Sequence, residues 1–539
     1  MLLRSMLDTR QAFDLAVRNI SRWGDTDVFP FSPENHVLHD KRDEVVDLLM
    51  EVHANFDDSL LQFPAIIDGA LSLVTYEGFR WVTQIEPLWN AYFLGLVLKL
   101  SPELEAARIP RHRAVVFSYR LAVDQERSSL FSDGAWAEFS ERSAALSEQY
   151  EYVVICDIAD FYSRVYHHRL QNALQLLPGV DNVPARIEKL VREFSGGPSY
   201  GLPVGGPAAR LLAELALNRT DRLLLTNGVV FCRYADDYRL FAQTRNDAFR
   251  ALLYLSEILL RNEGLTLQRQ KTRVLMSKDF ARSPLFTTDD VDELNPVERE
   301  ERRFLRLSLR FDPYSATAAE DYERLREDLR QFDIMGMLTR EVGKSRVNTA
   351  VVRRLAQAVR HLDEDIRNAA AETLIGNLET LAPALPVTLR VLEELLPDLS
   401  ETLRSQVPAA IRETIIAGDY YLQVPVNLAY ALRVLQHDRA EENVTLASDL
   451  FDKVQPFIQR DIVYLMYIWN ADYWLSDKRR QWNTQHPWVK RALLLASYSL
   501  GDEGRFWRRS LGDQVAGFDA VCRDWMRERV QAGRTAIDL

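Results

Sequence analysis

The pattern of hydrophobic and polar positions divides the chain into three parts. Residues 1–107 follow a mostly helical period and include a largely apolar stretch at positions 88–100. Residues 108–312 contain short apolar runs that end at glycine, proline or acidic residues, a pattern typical of strands and turns. Residues 313–539 are helical in period and punctuated by proline, as at 363–378, 386–396, 399–416 and 426–435. The pattern therefore predicts an α+β part followed by an all-α part.

The all-α part contains a stripe of small residues. Residues 366–374 combine Arg367 with Ala369, Ala370 and Ala371. Such a stripe is typical of HEAT-like repeats, in which alanines let stacked helices approach closely. Because the period is imperfect, we predict an irregular α-helical repeat domain of HEAT-like type.

Length and composition indicate a large globular protein. At 539 residues the chain exceeds the usual size of one domain, so two or three domains are expected. The start lacks the apolar core of a signal peptide, and no apolar run reaches the length of about 18 residues that a membrane span needs. We therefore expect a cytoplasmic protein that does not enter a membrane. The three cysteines have no CxxC spacing and support neither a disulfide framework nor a zinc site.

The net charge of −12 argues mildly against binding to nucleic acid, since phosphates are normally bound by Lys and Arg. Arginines nevertheless cluster in two places along the chain. The members of the two clusters are Arg108, Arg111, Arg113 and Arg120, and then Arg299, Arg302, Arg303, Arg306 and Arg310. The second cluster predicts either a basic face that follows a nucleic-acid backbone or a face that is ion-paired with neighbouring glutamates. The sequence leaves both interpretations open.

Two apolar segments end in carboxylates. Residues 234–237 (YADD) lie between two short apolar runs, which predicts a hairpin with adjacent acids at its tip. The apolar run 152–156 leads to Asp157 at a second strand end. If both strands belong to one sheet, Asp157 lies beside Asp236, and the pair suits two Mg²⁺ or Mn²⁺ ions about 3.5–4 Å apart, as phosphoryl transfer requires. Taken alone, YADD is equally compatible with an ordinary Asp-rich β-turn.

A glycine- and proline-rich turn lies between the two acidic segments. Residues 201–207 (GLPVGGP) are followed by a strongly helical segment at 208–217. A turn of this kind that opens a helix lets the backbone approach a ligand closely, although most such turns only join a strand to a helix.

In this order and spacing, the segments resemble the palm motifs of reverse transcriptases. Asp157 with Phe161 and Tyr162 resembles motif A, residues 201–205 motif B, residues 234–237 motif C, and residues 264–266 leading to Lys271 motif D. The resemblance extends from about residue 108 to 277. It implies a fingers and palm fold with an antiparallel sheet and helices. It also implies a DNA polymerase that adds dNTPs by two-metal catalysis.

The resemblance also implies roles for individual residues. Asp157 and Asp236 would be the principal metal ligands, with Asp237 in support. Tyr162 occupies the position of a steric gate, where a ring under the sugar clashes with a ribose 2′-hydroxyl, and Lys271 would donate a proton to the leaving pyrophosphate. The first candidate for a triphosphate clamp is Arg120 and the second is Arg113, because a guanidinium matches phosphate oxygens. The residues assigned to nucleotide binding are Arg120, Arg113, Tyr162, Phe161 and Gly205.

One position departs from the reverse transcriptase pattern. Most members have Leu-Pro-Gln-Gly in motif B, whereas this chain has Leu-Pro-Val-Gly with Val204. The amide that usually touches the incoming nucleotide is therefore absent, which weakens the expectation of template-dependent readout.

Further segments are similar to those of bacterial abortive-infection and defence-associated reverse transcriptases of the AbiK-like group. These segments are 116–120 (VFSYR), 166–170 (YHHRL), 311–315 (FDPYS) and 344–346 (KSR). The resemblance implies antiphage defence, a helical-repeat C-terminal half, and DNA synthesis from a protein hydroxyl that leaves the product DNA covalently attached. The priming hydroxyl stays open between Ser5, Thr9, a tyrosine elsewhere and an RNA primer.

The alternatives differ in template and in class. A defence reverse transcriptase that copies a dedicated non-coding RNA is the nearest alternative; a retron or group II intron enzyme and a non-catalytic scaffold are less favoured. We also expect the helical half to work with the palm and to join subunits into a homo-oligomer, a trimer or a hexamer.

Overall fold

The computed structural model describes residues 7–178, 182–281 and 300–539, except residues 302, 306, 308, 310–317 and 538. The chain forms two compact units. The first unit comprises Met1–Asp27, Phe31–Gly69 and Val82–Val291, and the second comprises Val28–Pro30, Ala70–Trp81 and Asp292–Leu539.

The first unit begins with helices packed around one buried helix. Its N-terminal helices are α1 (Thr9–Trp23), α2 (Glu34–Asp40), α3 (Arg42–Ala54), α4 (Phe56–Gln62), α5 (Pro87–Lys99) and α6 (Ser101–Ala107). A capping box between Asp8 and Gln11 starts α1 and satisfies two backbone N–H groups that the helix cannot. The largely apolar stretch at 88–100 forms α5, which is buried along nearly its whole length. α1 approaches α5 at Gly95, where an added Cβ would lie 2.2 Å from Cδ1 of Phe13.

Within the described residues, eight strands form three sheets. Two are short ribbons, in which β1 (Ile67–Leu73) pairs with β2 (Phe79–Ile85) and β3 (Leu121–Asp124) with β4 (Ser129–Phe131). The third sheet has the order β6-β7-β5-β8 and is antiparallel throughout. Its strands are β5 (Tyr152–Asp157), β6 (Val230–Tyr234), β7 (Asp237–Ala242) and β8 (Arg273–Met276). The predicted hairpin at YADD and the predicted strand before Asp157 are therefore confirmed, and both lie in one sheet.

The first unit contains further helices, some of which pack on the four-stranded sheet. They are α7 (Ala135–Ser147), α8 (Phe161–Arg164), α9 (His167–Gln175), α10 (Val183–Phe194), α11 (Pro207–Thr226), α12 (Arg245–Ile258) and α13 (Ser277–Ala281). α7 packs on β6 and β7, while α12 packs on β5, β7 and β8. The core under α7 contains Phe139, Val153, Cys232 and Phe241, so the strand cysteine serves as a small buried thiol.

The second unit is helical over its described C-terminal residues. Its helices are α14 (Ala318–Arg330), α15 (Ile334–Val342), α16 (Thr349–Val359), α17 (Glu364–Ile375), α18 (Leu385–Leu395), α19 (Glu401–Ala417), α20 (Pro425–Val434), α21 (Glu441–Phe451), α22 (Pro456–Ile468), α23 (Asp472–Arg480), α24 (Pro487–Ala496), α25 (Gly501–Leu511) and α26 (Gly517–Gln531). The four segments predicted as helices from their period form α17, α18, α19 and α20, which confirms those predictions.

In the second unit, a helix packs against the second helix that follows it in the sequence. α16, α18, α20, α22, α24 and α26 contact one another in this order, and α15, α17, α19 and α21 form a second such series. The stacking buries aliphatic side chains such as Val407 and Leu432. A large helical region is thus confirmed, whereas its HEAT-like type stays a prediction.

Some predictions fall on residues outside the described part of the chain. These are Ser5, four members of the second arginine cluster (Arg299, Arg302, Arg306 and Arg310), the segment 311–315 and the boundary at 312. Among the described residues, no helix is both long enough and apolar enough to span a membrane.

The contact between α1 and α5 leads to a prediction on stability. Gly95→Ala places a methyl group against the ring of Phe13, and the ring must shift within a close-packed core. We expect a loss of about 1–3 kcal/mol in the free energy of unfolding of the first unit, measured by urea denaturation. Leu61→Ala on α4, where the side chain is 81% exposed, is the control and should change it by less than about 0.5 kcal/mol. Equal denaturation midpoints for the two variants would contradict the packing argument.

Candidate active site

Three carboxylates meet at one end of the four-stranded sheet. Asp157 is the last residue of β5, and it lies directly opposite Asp237, the first residue of β7. Asp236 lies in the two-residue turn between Tyr234 and Asp237, which pair across the hairpin. One oxygen from each carboxylate lies within 4.8 Å of the others. The pairing register therefore brings together the three acids that the sequence pattern singled out.

The turn that carries Asp236 has an unusual backbone. Ala235 has a φ of 52°, in the left-handed region that residues with a Cβ rarely adopt. The Asp236 carbonyl accepts a hydrogen bond from the Ile158 N–H at 3.1 Å, just beyond the end of β5. This bond ties the turn to the strand that bears Asp157, so backbone contacts fix the separation of the carboxylates.

The carboxylates repel one another in a partly buried position. Burial and then the charge of Asp157 raise the pKa of Asp236 to about 6. Burial and then the charges of Asp236 and Asp157 raise the pKa of Asp237 to about 7. Divalent cations, bound by these carboxylate oxygens, would remove this repulsion. The donor set therefore fits Mg²⁺ or Mn²⁺, with Asp157, Asp236 and Asp237 as the residues that would hold the ions.

Lys271 supplies a positive charge at the edge of this cluster. Its Nζ lies 3.1 Å from Oδ2 of Asp157 while its side chain stays 64% exposed. Burial lowers the pKa of Lys271, but the charge of Asp157, the hydrogen bond to it and the charges of Asp237 and Asp236 together outweigh burial, and the net pKa is raised. Backbone hydrogen bonds determine the position of Lys271 beside Asp157. The Gln268 N–H donates to the Asp157 carbonyl at 2.7 Å, and the Lys271 N–H donates to the Gln268 carbonyl.

The two aromatic residues after Asp157 have different environments. Phe161 is buried in the core, whereas Tyr162 is half-buried. The Tyr162 carbonyl accepts from the Leu202 N–H at 2.7 Å, which joins α8 to the glycine-rich turn. Burial and then the proximity of Tyr119 raise the pKa of Tyr162 well above its usual value. We therefore assign Phe161 to packing, and Tyr162 stays a candidate for contact with a nucleotide.

Gly205 makes a close approach to the N-terminal part of the first unit. Its φ is 112°, and an added Cβ would lie 2.9 Å from Cβ of Thr26 and 3.2 Å from Oδ1 of Asp27. A glycine is therefore required here both for its backbone conformation and for space. The atoms that approach Gly205 closely in this structure belong to the chain itself.

The two arginines considered for a triphosphate clamp lie in contrasting places. Arg120 is 3% exposed, and its guanidinium donates to the Ile109 and Val116 carbonyls and to Glu105. These protein acceptors engage its donors, so the structure does not support the clamp role for Arg120 and favours a structural one. Arg113 is exposed on a short 3-10 turn and stays a candidate.

A buried ionic network behind the carboxylates is missing from the sequence-based prediction. Arg233 of β6 is 1% exposed and pairs with Glu214 at 3.0 Å and Asp221 at 2.6 Å, both on α11. Its Nη1 also donates to the Ala235 carbonyl at 2.8 Å, within the YADD turn. Asp221 additionally accepts from the Tyr238 hydroxyl. Two features of the sequence could have indicated this network. They are a charged residue inside an apolar strand and two acids seven positions apart on one helix.

The same network extends to the first arginine cluster. Glu214 also accepts from Arg108 Nη2 at 2.7 Å and from the Ser118 hydroxyl. Burial raises the pKa of Glu214, but the charges of Arg233 and Arg108, together with the hydrogen bonds from Arg233 and Ser118, outweigh burial and the net pKa is lowered. With Arg111 paired to Glu138 and Arg120 to Glu105, three of the four members of this cluster are ion-paired within the protein.

Comparison with known proteins assigns the family of this part of the chain. Residues 104–309 match the sequence model described as reverse transcriptase (RNA-dependent DNA polymerase). The chain contains a reverse transcriptase domain. It is accordingly an enzyme of the nucleotidyltransferase class, and the matched residues include the strands and turns that bear the three carboxylates.

Solved structures to which this chain is similar include two telomerases. Apo telomerase from Candida tropicalis has 10% identity and a TM-score of 0.31, with 71% of this chain and 74% of that chain covered. Telomerase from Candida albicans in complex with a TWJ fragment of telomeric RNA has 12% identity and a TM-score of 0.30, with 71% and 70% covered. No curated protein matches the chain.

The network around Arg233 leads to a prediction on catalysis. The double variant Arg233→Met/Asp221→Leu removes one positive and one negative buried charge, so it should remain folded. The Ala235 carbonyl loses its buried donor, and the turn with Asp236 is no longer held. We expect dNTP incorporation in single-turnover assays to fall by about 10- to 100-fold, the effect of a small misplacement of reacting groups.

The matched control is a second ion pair that does not belong to the site. Arg491→Met/Asp519→Leu removes a charge pair of the second unit, in which Arg491 Nε lies 2.6 Å from Asp519 Oδ1. Circular dichroism checks the folding of both variants. A folded Arg233→Met/Asp221→Leu protein as active as this control would show that the network has no part in positioning the turn.

Proposed function

We propose that this chain is a DNA polymerase of the reverse transcriptase type that acts in antiphage defence. The observation that carries the polymerase assignment is the cluster of Asp157, Asp236 and Asp237 on two adjacent strands inside a reverse transcriptase domain. The defence role is supported by the similarity of the segments 116–120 and 166–170 to defence-associated enzymes. dNTPs are the substrates and DNA is the product.

Each site residue has a separate task in the proposed reaction. Asp157 and Asp236 would hold the two metal ions, and Asp237 would support them from the start of β7. When bound, such ions lower the pKa of the attacking hydroxyl and neutralise the leaving pyrophosphate. Lys271, whose raised pKa keeps its Nζ protonated at neutral pH, gives a proton to the pyrophosphate. Tyr162 excludes a ribose 2′-hydroxyl by contact with its ring.

The proposal includes priming by a protein hydroxyl and synthesis without a template. Val204, in the place where most reverse transcriptases have glutamine, supports the second part, because valine cannot donate or accept a side-chain hydrogen bond to a nucleotide. The nearest alternative, copying of a dedicated non-coding RNA, uses the same carboxylates and differs in what must be added for activity.

The carboxylate assignment predicts the outcome of an incorporation assay. Purified protein incubated with Mg²⁺ and each labelled dNTP should incorporate label, and Asp236→Asn should reduce incorporation by several orders of magnitude, because a formal charge facing the metal is lost. Asp160→Asn is the matched control, since Asp160 is exposed, follows Asp157 by three residues and lies outside the cluster. Undiminished incorporation by a folded Asp236→Asn protein would refute the assignment.

The same assay distinguishes the modes of synthesis. Nuclease pretreatment should leave the activity intact, and label should stay with the protein after denaturation. Loss of activity after ribonuclease treatment, restored by the RNA that copurifies with the protein, would instead establish the RNA-templated alternative.

The proposal gives the second unit two tasks. We propose that its helices form an irregular HEAT-like repeat domain, from about residue 313, which works with the polymerase as one machine and joins subunits into a trimer or hexamer. The stacking of α16, α18 and α20 in series supports the repeat, since each helix buries its apolar face on the next of its series. The chain then consists of a helical N-terminal region, a fingers and palm part, and a repeat domain.

The assembly leads to a prediction on size and truncation. Size-exclusion chromatography with light scattering on the full chain should give three or six times the mass of 62.1 kDa. Removal of residues after Asp363 exposes the apolar face of a stacked helix, so the truncated protein should be insoluble or inactive. A strictly monomeric full chain would refute the assembly, and a soluble truncation with full activity would refute the coupling.

A further inference from the structure

An exposed tryptophan lies beside the hairpin that carries the acids. Trp136, on α7, is 46% exposed, whereas Ala135 and Phe139 of the same helix are buried. Aromatic side chains have large apolar faces, and burial of such a face is strongly favourable. A half-exposed tryptophan therefore presents a surface on which a flat apolar ligand can stack.

Both strands of the hairpin contact the ring of Trp136. Its centroid lies 4.9 Å from that of Tyr234 on β6, and the two ring planes meet at 81°. On β7, the guanidinium carbon of Arg239 lies 6.0 Å from the centroid of Trp136, at the outer limit of a cation–π contact. Tyr234 pairs directly with Asp237 across the hairpin. Trp136 is thus connected to the strands of the carboxylate cluster through a single side chain, that of Tyr234.

The contact with Tyr234 continues into a row of rings. The centroid of Tyr119 lies 6.1 Å from that of Tyr234, and the centroid of Phe131 lies 5.3 Å from that of Tyr119. Tyr234, Tyr119 and Phe131 are each half-buried. Four rings in contact offer more surface than the single base of a dNTP can cover. The row therefore fits a strand with several unpaired bases better than it fits a free nucleotide.

Positive charge lies next to the exposed ring. The short 3-10 turn formed by residues 111–113 (RHR) is exposed, and it lies against α7 because Arg111 Nη2 donates to Glu138 Oε1 at 3.0 Å. Glu138 follows Trp136 by two residues. Arg113 forms no ion pair among the described residues, so its charge is open to a phosphate group. Aromatic rings beside basic side chains are the combination with which proteins bind single-stranded nucleic acid.

We propose that Trp136 stacks on an unpaired base of single-stranded DNA, and that the basic turn at 111–113 contacts the phosphates of the same strand. The inference rests on the proposed function, since the strand is the DNA that the enzyme extends. Stacking tolerates any base because every base has a π-face, which suits a strand made without a template. The contact keeps the strand beside the carboxylates while the next nucleotide binds.

The test measures the Kd of the full-length protein for a short, fluorescently labelled oligothymidylate by fluorescence anisotropy, without metal ions or dNTPs. Trp136→Leu keeps an apolar contact with Tyr234 but removes the π-face, so Kd should rise by about 5- to 100-fold, the worth of stacking on one base. Trp136→Phe keeps a ring and should stay within about threefold of the wild type. An unchanged Kd for Trp136→Leu would overturn the inference.

An oligonucleotide of the same length that lacks bases separates stacking from other effects. It keeps every phosphate, so wild type and Trp136→Leu should bind it equally. An equal loss of affinity by Trp136→Leu for both oligonucleotides would show that the ring acts on the backbone or on the fold, and would overturn the inference. The matched control is Phe249→Ala, which removes a 61% exposed ring from α12 and should leave both affinities unchanged.

Measurements of incorporation separate this inference from the proposed function. Binding without metal ions requires no catalysis, so a protein that binds oligothymidylate through Trp136 and incorporates no dNTP would refute the polymerase and leave the strand site in place. Full incorporation with an affinity that does not depend on Trp136 would do the reverse. If Trp136→Leu raises KM for dNTP and leaves the oligothymidylate Kd unchanged, the ring serves the incoming nucleotide and the inference is overturned.

Discussion

The reverse transcriptase domain depends on one buried guanidinium. Arg233 joins the strand before the YADD turn to two acids of α11, and through Glu214 it is linked to the segment that contains Ser118. Charges in such a place are stable only when they are balanced by partners, because removal of one charge alone leaves another buried and uncompensated. The hairpin, the helix and the segment therefore have to fold against each other. Residues outside the carboxylate cluster thereby set the geometry of the cluster.

The carboxylate cluster holds like charges close together, whereas a folded chain usually keeps them apart. Three acids lie close together at the end of a sheet, and two of them have raised pKa values because burial and mutual repulsion oppose their ionisation. Strand pairing holds them there against this repulsion. Cations that bind the folded cluster more strongly than the unfolded chain must then stabilise the fold, by the general linkage between binding and stability. Packing of the fold thus keeps the three carboxylates close together, although their mutual repulsion alone would move them apart.

The parts of the site that could be predicted from the sequence are those that depend only on residues close together in the chain. Apolar runs that end in Asp157 and Asp236 determine strands with acidic ends, and the helical period at 363–435 determines helices, since both depend on neighbouring residues. The role of Arg120 was not predictable in this way. An arginine has the same appearance in a sequence whether its donors meet phosphate or, as here, the Ile109 carbonyl and Glu105.

The stacking of alternate helices in the second unit has a consequence for how that unit tolerates change. Each helix contacts its neighbours along the series and few helices farther away, as α20 contacts α18 and α22. A fold of this kind is close to one-dimensional, so the effect of an altered helix fades over the next few positions instead of spreading through a common core. Evolution can lengthen or shorten such an array by whole helix pairs without disturbing the rest. The length of this unit is therefore an adjustable quantity, separate from the fixed architecture that polymerase chemistry imposes on the first.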